Sequence, residues 1–224
     1  MKKLNDSLRT FLIDLKANNN RDWFATHKPK YQEEYKAFKA FSSTVLEGMQ
    51  SFDVLEAAKI FRIYRDVRFS ANKSPYKSHF SFWIKREGLM RRGGYYVHVE
   101  PENCFLGGGF WAPETADLKH IRKELAADPD SLRGIIQSAN FKKHFGSLEG
   151  EQLKSAPQGY PKDHPAIDLL KYKQYLAMKK LPDQVVWSDE FFPIILETFE
   201  AMLPFFNYMS EVLGTDENGV PLFQ

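Results

Sequence analysis

Alternation of apolar with other residues in the middle of the chain is the sequence feature that most restricts its fold. The apolar members of this pattern are Phe80, Phe82, Ile84, Tyr95, Val97 and Val99. A period of two residues is typical of strands, and here it predicts neighbouring antiparallel strands. Between the strands Gly94–Glu100 and Cys104–Trp111 lies Pro101-Glu102-Asn103, which suits a tight turn. A further strand is predicted from Lys59 to Arg65.

In the regions before and after these strands, apolar residues recur at the spacing of a helix. The predicted elements are a helix at 4–15, a short turn at 21–24, a helix beginning at Pro29, helices after Pro113 and Asp128, a loop at 146–165, a brief helix at 165–172, a strand at 175–179 and a last helix from Ser188. Pro204 must kink or split that last helix. We therefore predict a single α+β domain over residues 1–224, with a central antiparallel β-meander flanked by N-terminal and C-terminal helices.

The cysteine content and the absence of long apolar runs predict the cellular compartment of the protein. Cys104 is the only cysteine, so the chain forms no intrachain disulfide and no thiolate zinc site. The N-terminus lacks the apolar run of a signal peptide, and no later run is long enough to span a bilayer. We expect a soluble, cytoplasmic protein without a membrane partner.

One segment between Arg62 and His79 concentrates positive charge. We predict that Arg65, Arg68, Lys73 and Lys77 bind a ligand together with Tyr76, because guanidinium and ammonium groups that converge form an anion site. The alternative is a solvated loop whose charges pair with carboxylates elsewhere.

The register of the predicted sheet places a second set of polar groups on one face. If the apolar residues share the core face, the opposite face carries His79, Ser81, Trp83, Tyr96, His98 and Glu100. Gly107 and Gly109 join it and leave room for a ligand near the backbone. We predict His79, His98 and Glu100 as catalytic residues, since histidine transfers protons near neutral pH, and Trp83 and Tyr96 as ligand-binding residues. Alternatively, this face packs against helices.

Cofactor motifs are weak in this chain. His79, His98 and Glu100 carry groups that bind metals, but no HExxH spacing supports such a site. Gly107-Gly108-Gly109 lies within a predicted strand, so it does not form a nucleotide-binding loop. The sequence therefore predicts neither a metal nor another cofactor.

Six segments together resemble the domain-of-unknown-function family numbered 2461. They are Asn18–Phe24, Arg65–Ser70, Lys73–Lys77, Gly94–Pro101, Leu106–Gly109 and Gly159–Pro165. The resemblance extends from about Leu8 to Leu213. It implies a fold and does not imply an activity.

Two kinds of function remain open at this stage. The first is a binding or catalytic pocket for a small anion, with a phosphate or carboxylate group. The second is an interaction module for single-stranded nucleic acid or a protein partner. Lysine and arginine number 31 against 29 aspartates and glutamates, a formal net charge of +2. This near balance argues against a dedicated nucleic-acid-binding domain.

Overall fold

A computed structural model describes residues 2–215 and 220–221 of the chain. Its helices are α1 (Asp6–Ala17), α2 (Arg21–Met49), α3 (Thr115–Ala127), α4 (Pro129–Gln137), α5 (Ala139–Phe145), α6 (Ile167–Leu170), α7 (Asp183–Val186), α8 (Phe191–Glu200) and α9 (Leu203–Gly214). Its strands are β1 (Lys59–Ile60), β2 (Phe80–Lys85), β3 (Gly94–Val99), β4 (Cys104–Phe110) and β5 (Tyr175–Leu181). They form one antiparallel sheet in the order β1-β2-β3-β4-β5. The predicted α+β class is confirmed.

The chain divides into two compact units. One comprises the residues up to 85 with 96–106 and 180–197, and the other comprises 86–95, 107–179 and the residues from 198 onwards. Boundaries fall inside β3, β4, β5 and α8, so these elements contribute to both units. The single domain over residues 1–224 stays a prediction.

Three asparagines separate and cap the first two helices. The Asn18 side chain donates to the carbonyl oxygen of Asp14 at the end of α1, at 2.9 Å. The Asn20 side chain accepts a hydrogen bond of 2.9 Å from the backbone N–H of Trp23 in the first turn of α2. The bond to Trp23 satisfies an N–H that the start of a helix leaves without a partner, whereas the bond to Asp14 adds to the one that the backbone N–H of Asn18 already donates there.

The predicted start of the second helix at Pro29 is wrong. Arg21–Phe24 is the first turn of α2, and the helix continues through Pro29. Proline cannot donate the backbone hydrogen bond that the carbonyl of Ala25 would accept. Phe24 before it and Tyr31 after it pack together with ring centroids 5.3 Å apart, and this packing offsets the lost bond.

The strand predicted from Lys59 to Arg65 is also too long. β1 contains only Lys59 and Ile60, and beyond it only Tyr64 forms a bridge, with Tyr76. This antiparallel bridge and the neighbouring backbone hydrogen bonds pair residues 63–65 with residues 75–77 and not with β2. Pro75 lies in the returning arm and has no N–H to donate, which interrupts the ladder.

The predicted core face of the meander is confirmed by burial. All six apolar residues that alternate in β2 and β3 are at most 4% exposed. The prediction of open space at the glycines is wrong. A Cβ on Gly107 would lie 2.5 Å from the sulfur of Met178, and one on Gly109 would lie 2.2 Å from the carbonyl oxygen of Tyr175. Strand β5 therefore fills this part of the sheet face.

Proline splits the last predicted helix. The helical structure is interrupted between α8 and α9, and Pro204 lies in the first turn of α9. Backbone N–H groups in the first turn of a helix have no acceptor within the helix, so proline costs no hydrogen bond at this position. Among the described residues, none of the helices combines the length and the apolarity that crossing a membrane requires.

Candidate anion-binding site

The basic loop, which we define as residues 65–77, is closed at its base by backbone hydrogen bonds. The N–H of Arg65 donates to the carbonyl oxygen of Pro75 at 2.9 Å, and the N–H of Lys77 donates to that of Ile63 at 2.8 Å. Within the loop, the Asn72 side chain accepts a bond of 2.9 Å from the N–H of Ser74. Such a turn is typical of asparagine. The loop therefore has a defined shape.

Asn19 anchors the basic loop to the end of α1. Its side-chain amide donates to the carbonyl oxygen of Tyr76 at 3.0 Å and accepts from the N–H of Tyr76 at 3.1 Å. One side chain thus satisfies both backbone groups of a residue 57 positions away. The Tyr76 ring also stacks on Phe24 with centroids 3.9 Å apart. These contacts set the position of Lys77, the next residue.

A cavity of about 330 Å³ lies between the basic loop and the end of α1. Its lining consists of Lys16, Asn19, Arg65, Asn72, Ser74, Tyr76, Lys77, Ser78 and His79. Three of these side chains are cationic and the rest are neutral or, for His79, titratable. None of the carboxylates in the described part of the chain contributes to the lining. We call this space the basic cavity.

The cations of the basic cavity also lack salt bridges. Within residues 2–215, no carboxylate lies in salt-bridge distance of Lys16, Arg65 or Lys77. Burial, followed by the charge of Arg62, lowers the pKa of Lys77 below its usual value. A carboxylate partner would raise it instead. The cavity therefore carries positive charge that the protein itself does not neutralise.

The structure brings only part of the predicted ligand-binding set to this cavity. Arg65, Tyr76 and Lys77 line it, whereas Arg68 and Lys73 do not. Arg68 pairs with Asp66 at 2.6 Å on the surface, and the Lys73 ammonium donates to the carbonyl oxygen of Val67 at 3.0 Å. The guanidinium of Arg68 lowers the pKa of the Asp66 carboxyl group. For these two residues the alternative of a solvated loop describes the structure better.

Sequence analysis missed two contributors from α1 and its C-terminal end. Lys16 lies in the last turn of α1, and Asn19 follows that helix. In the sequence, the run of three asparagines indicates only a helix end. Its tolerance of unusual backbone conformations gave no indication that Asn19 reaches the loop.

The predicted catalytic residues His79, His98 and Glu100 form a compact cluster beside the cavity. The rings of His79 and His98 have centroids 4.1 Å apart, and ligand atoms of all three residues lie within 4.8 Å of one another. Only His79 lines the cavity. Glu100 accepts hydrogen bonds from Ser78 at 2.6 Å and from Asn103 at 2.8 Å. We call this group the His–Glu cluster.

Burial governs the protonation of the His–Glu cluster. It lowers the pKa of His79 to about 4, with the charge of protonated His98 as the second cause, and it also lowers the pKa of His98. Burial alone would raise the pKa of Glu100, but hydrogen bonds from Ser78 and Asn103 outweigh it, so this pKa is lowered. Near neutral pH the cluster therefore contains two neutral imidazoles and one carboxylate. A neutral imidazole can accept a proton and cannot donate one as an acid.

The two predicted aromatic ligand-binding residues, Trp83 and Tyr96, lie outside the cavity lining and are partly buried. Tyr96 packs against Phe105 with centroids 5.7 Å apart, and its hydroxyl lies 3.1 Å from Nδ1 of His98. Its role in the structure is to orient His98. The exposed faces that stacking on nucleic acid bases requires are reduced at both residues.

Cys104 supports a prediction about reactivity. It is 2% exposed, and burial raises the pKa of its thiol to about 12. Because the thiolate is the nucleophile, we expect native protein at pH 8 to react with iodoacetamide roughly 1,000-fold more slowly than a free thiol. Mass spectrometry of labelling over time, with and without guanidinium, measures this. Equal rates in the two conditions would show that Cys104 is accessible.

The fold and the site define an α+β protein with a basic cavity next to a buried His–Glu cluster. The family model described as "Conserved hypothetical protein (DUF2461)" matches residues 7–208, so the chain belongs to this family. The resemblance of the six sequence segments is thereby confirmed. No curated protein and no solved structure is similar enough to match the chain.

Proposed function

We propose that the chain binds a small anion with a phosphate or carboxylate group in the basic cavity. The observation that carries this proposal is the convergence of Lys16, Arg65 and Lys77 without a carboxylate partner in the described residues. Unneutralised like charges repel one another, and an anion between them replaces this repulsion with attraction. Structural salt bridges, by contrast, occur where Arg68 meets Asp66.

The hydrogen-bond donors in the lining of the basic cavity also suit an oxyanion. Arg65 presents a planar fork of donors that matches a phosphate or carboxylate, and Lys77 adds a point charge. The hydroxyl groups of Ser74 and Ser78 lie in the same lining. A volume of about 330 Å³ is at the lower end of ligand pockets, which favours a small ligand.

The His–Glu cluster extends the proposal from binding to chemistry. His79 is its only member that reaches the cavity, so it is the residue that a bound anion meets. An anion bound beside this imidazole raises its pKa from about 4 towards neutrality, so that it can accept a proton from the ligand or from water. His98 and Glu100 lie behind it and set the electrostatic surroundings of its ring.

Calorimetric titration of metal-free protein with inorganic phosphate, sulfate, acetate and malonate tests the proposal. We expect Lys77→Ala to weaken binding of the preferred anion about 10- to 100-fold, since it removes a charge-assisted hydrogen bond. Arg68→Ala is the matched control. It removes the same charge from the same loop, but its side chain is outside the cavity, so affinity is expected to change less than about twofold.

Equal losses in Lys77→Ala and Arg68→Ala would contradict a defined site, because they would indicate attraction by the general field of the loop. A parallel titration with a short single-stranded oligonucleotide tests the alternative function. Binding of the oligonucleotide alone, weakened by Arg68→Ala and by salt, would favour an interaction surface for nucleic acid instead.

A further inference from the structure

The His–Glu cluster has the donor set and most of the geometry of a metal site. Nε2 of His98 and Oε2 of Glu100 are 3.5 Å apart. Ligand atoms of a tetrahedral ion with bonds of about 2.1 Å are separated by about 3.4 Å, so this pair already has the required distance. With His79 included, one ligand atom from each of the three residues lies within 4.8 Å of the others. To bring such a separation to about 3.4 Å, the His79 ring needs to move by up to about 1.4 Å.

Hydrogen bonds around the cluster orient two of the three ligands. The Tyr96 hydroxyl lies 3.1 Å from Nδ1 of His98, which leaves Nε2 facing Glu100. Ser78 and Asn103 hold one carboxylate oxygen each. Residues behind metal ligands commonly have this role, because they fix the ring and the carboxylate in one orientation.

The third ligand, His79, has unused hydrogen-bonding capacity. Among residues 2–215 its ring packs against that of His98 at a tilt of 36°, and neither of its nitrogens makes a hydrogen bond. A partly buried imidazole without a hydrogen-bond partner is uncommon, since buried polar groups are usually paired. A bound ion would satisfy this nitrogen.

We infer that His79, His98 and Glu100 bind a divalent transition-metal ion, with Zn²⁺ as the best-fitting probe. Two imidazoles and one carboxylate suit Zn²⁺ or its first-row neighbours and fit poorly to Mg²⁺ or Ca²⁺, which prefer oxygen ligands. Three protein ligands leave a coordination position open. Because His79 lines the basic cavity, we expect that position to be reachable from the proposed anion site. The inference therefore extends the proposed function to a ligand held by both the metal and the cations.

The cations of the cavity affect the two ligands in opposite directions. Lys77 and Arg65 both act electrostatically on His79, as does Glu100 with the opposite sign. A positive charge at Lys77 repels a metal ion in the cluster and attracts an anion in the cavity. Lys77→Ala is therefore expected to tighten Zn²⁺ binding several-fold while it weakens phosphate binding.

The test is calorimetric titration of EDTA-treated, dialysed full-length protein with Zn²⁺ in a phosphate-free buffer. We expect one Zn²⁺ per chain, and at least about tenfold weaker binding in His79→Ala and in Glu100→Gln. Glu100→Gln keeps the shape of the side chain if His79→Ala folds poorly. His27→Ala is the control, because His27 is exposed and stacks on Trp23, and it should leave the affinity unchanged. Co²⁺ should give the visible absorption of a tetrahedral site in the wild type and lose it in His79→Ala.

Absence of Zn²⁺ binding, or binding that neither cluster variant weakens, would overturn the inference. These outcomes are separate from a failure of the proposed function. If phosphate binds metal-free protein and Zn²⁺ does not bind the cluster, only the metal inference fails. If Zn²⁺ binds the cluster and no anion binds the cavity, only the anion proposal fails.

Discussion

Gly109→Ala is expected to lower the free energy of unfolding by about 3 kcal/mol or more, a large part of the stability of a typical domain. Gly109 has a φ of +133°, which side chains other than that of glycine rarely adopt. A Cβ there would lie 2.2 Å from the carbonyl oxygen of Tyr175 and 3.0 Å from Cα of Leu176. Both atoms belong to the backbone of β5, which cannot move aside as a flexible side chain can. The substitution therefore forces β4 and β5 apart.

Chemical denaturation followed by circular dichroism measures this effect. Gly134→Ala is the matched control, because a Cβ at Gly134 in α4 would meet no atom within 4 Å. Alanine is the better helix former, so this control should be more stable than the wild type by about 0.5–1 kcal/mol. An unchanged denaturation midpoint for Gly109→Ala would mean that the β4–β5 pairing differs from the one described.

Asn19→Ala is expected to lower the free energy of unfolding by about 2 kcal/mol or more. The change removes both hydrogen bonds to the backbone of Tyr76 and leaves a partly buried N–H and carbonyl without their partner. The basic loop loses its anchor to α1, so Lys77 no longer holds its place in the cavity. We therefore also expect affinity for the preferred anion to fall about tenfold or more, as it does when one charge-assisted bond is lost.

Denaturation and anion titration on the same samples separate these effects. Asn18→Ala is the control, since the Asn18 side chain bonds only to Asp14 within its own helix end. It should reduce stability by about 1 kcal/mol or less and leave anion affinity unchanged. Equal anion affinity in Asn19→Ala and the wild type would show that the basic cavity does not depend on this anchor.

Sequence patterns predicted the meander because the alternation of buried and opposite-face residues is local and repeats along each strand. Burial of Phe82 and Val97 on one face requires His98 on the other, so one register decision placed several residues correctly. The continuity of α2 could not be predicted in this way. The low helix propensity of proline predicts a helix boundary at Pro29. The packing of Phe24 against Tyr31, which the sequence does not show, explains why α2 continues through it.

Part of the candidate site depends on contacts that spacing does not reveal. In the basic loop, Arg65 and Arg68 look equivalent in sequence, but Asp66 pairs with Arg68 and leaves Arg65 for the cavity. Asn19 reaches the loop across 57 residues of chain, and Lys16 lines the same cavity. The glycines of β4 suggested open space, and the Met178 side chain fills the space at Gly107. The last two of these outcomes follow from partners that are distant in the sequence.

The most direct test of the basic cavity as an anion site is diffraction from crystals soaked in selenate, a phosphate-sized dianion whose anomalous signal locates it. We expect the strongest anomalous peak within hydrogen-bonding distance of Lys77 and Arg65. An empty cavity, with selenate instead on the outer surface beside Arg68 and Lys73, would contradict the central claim.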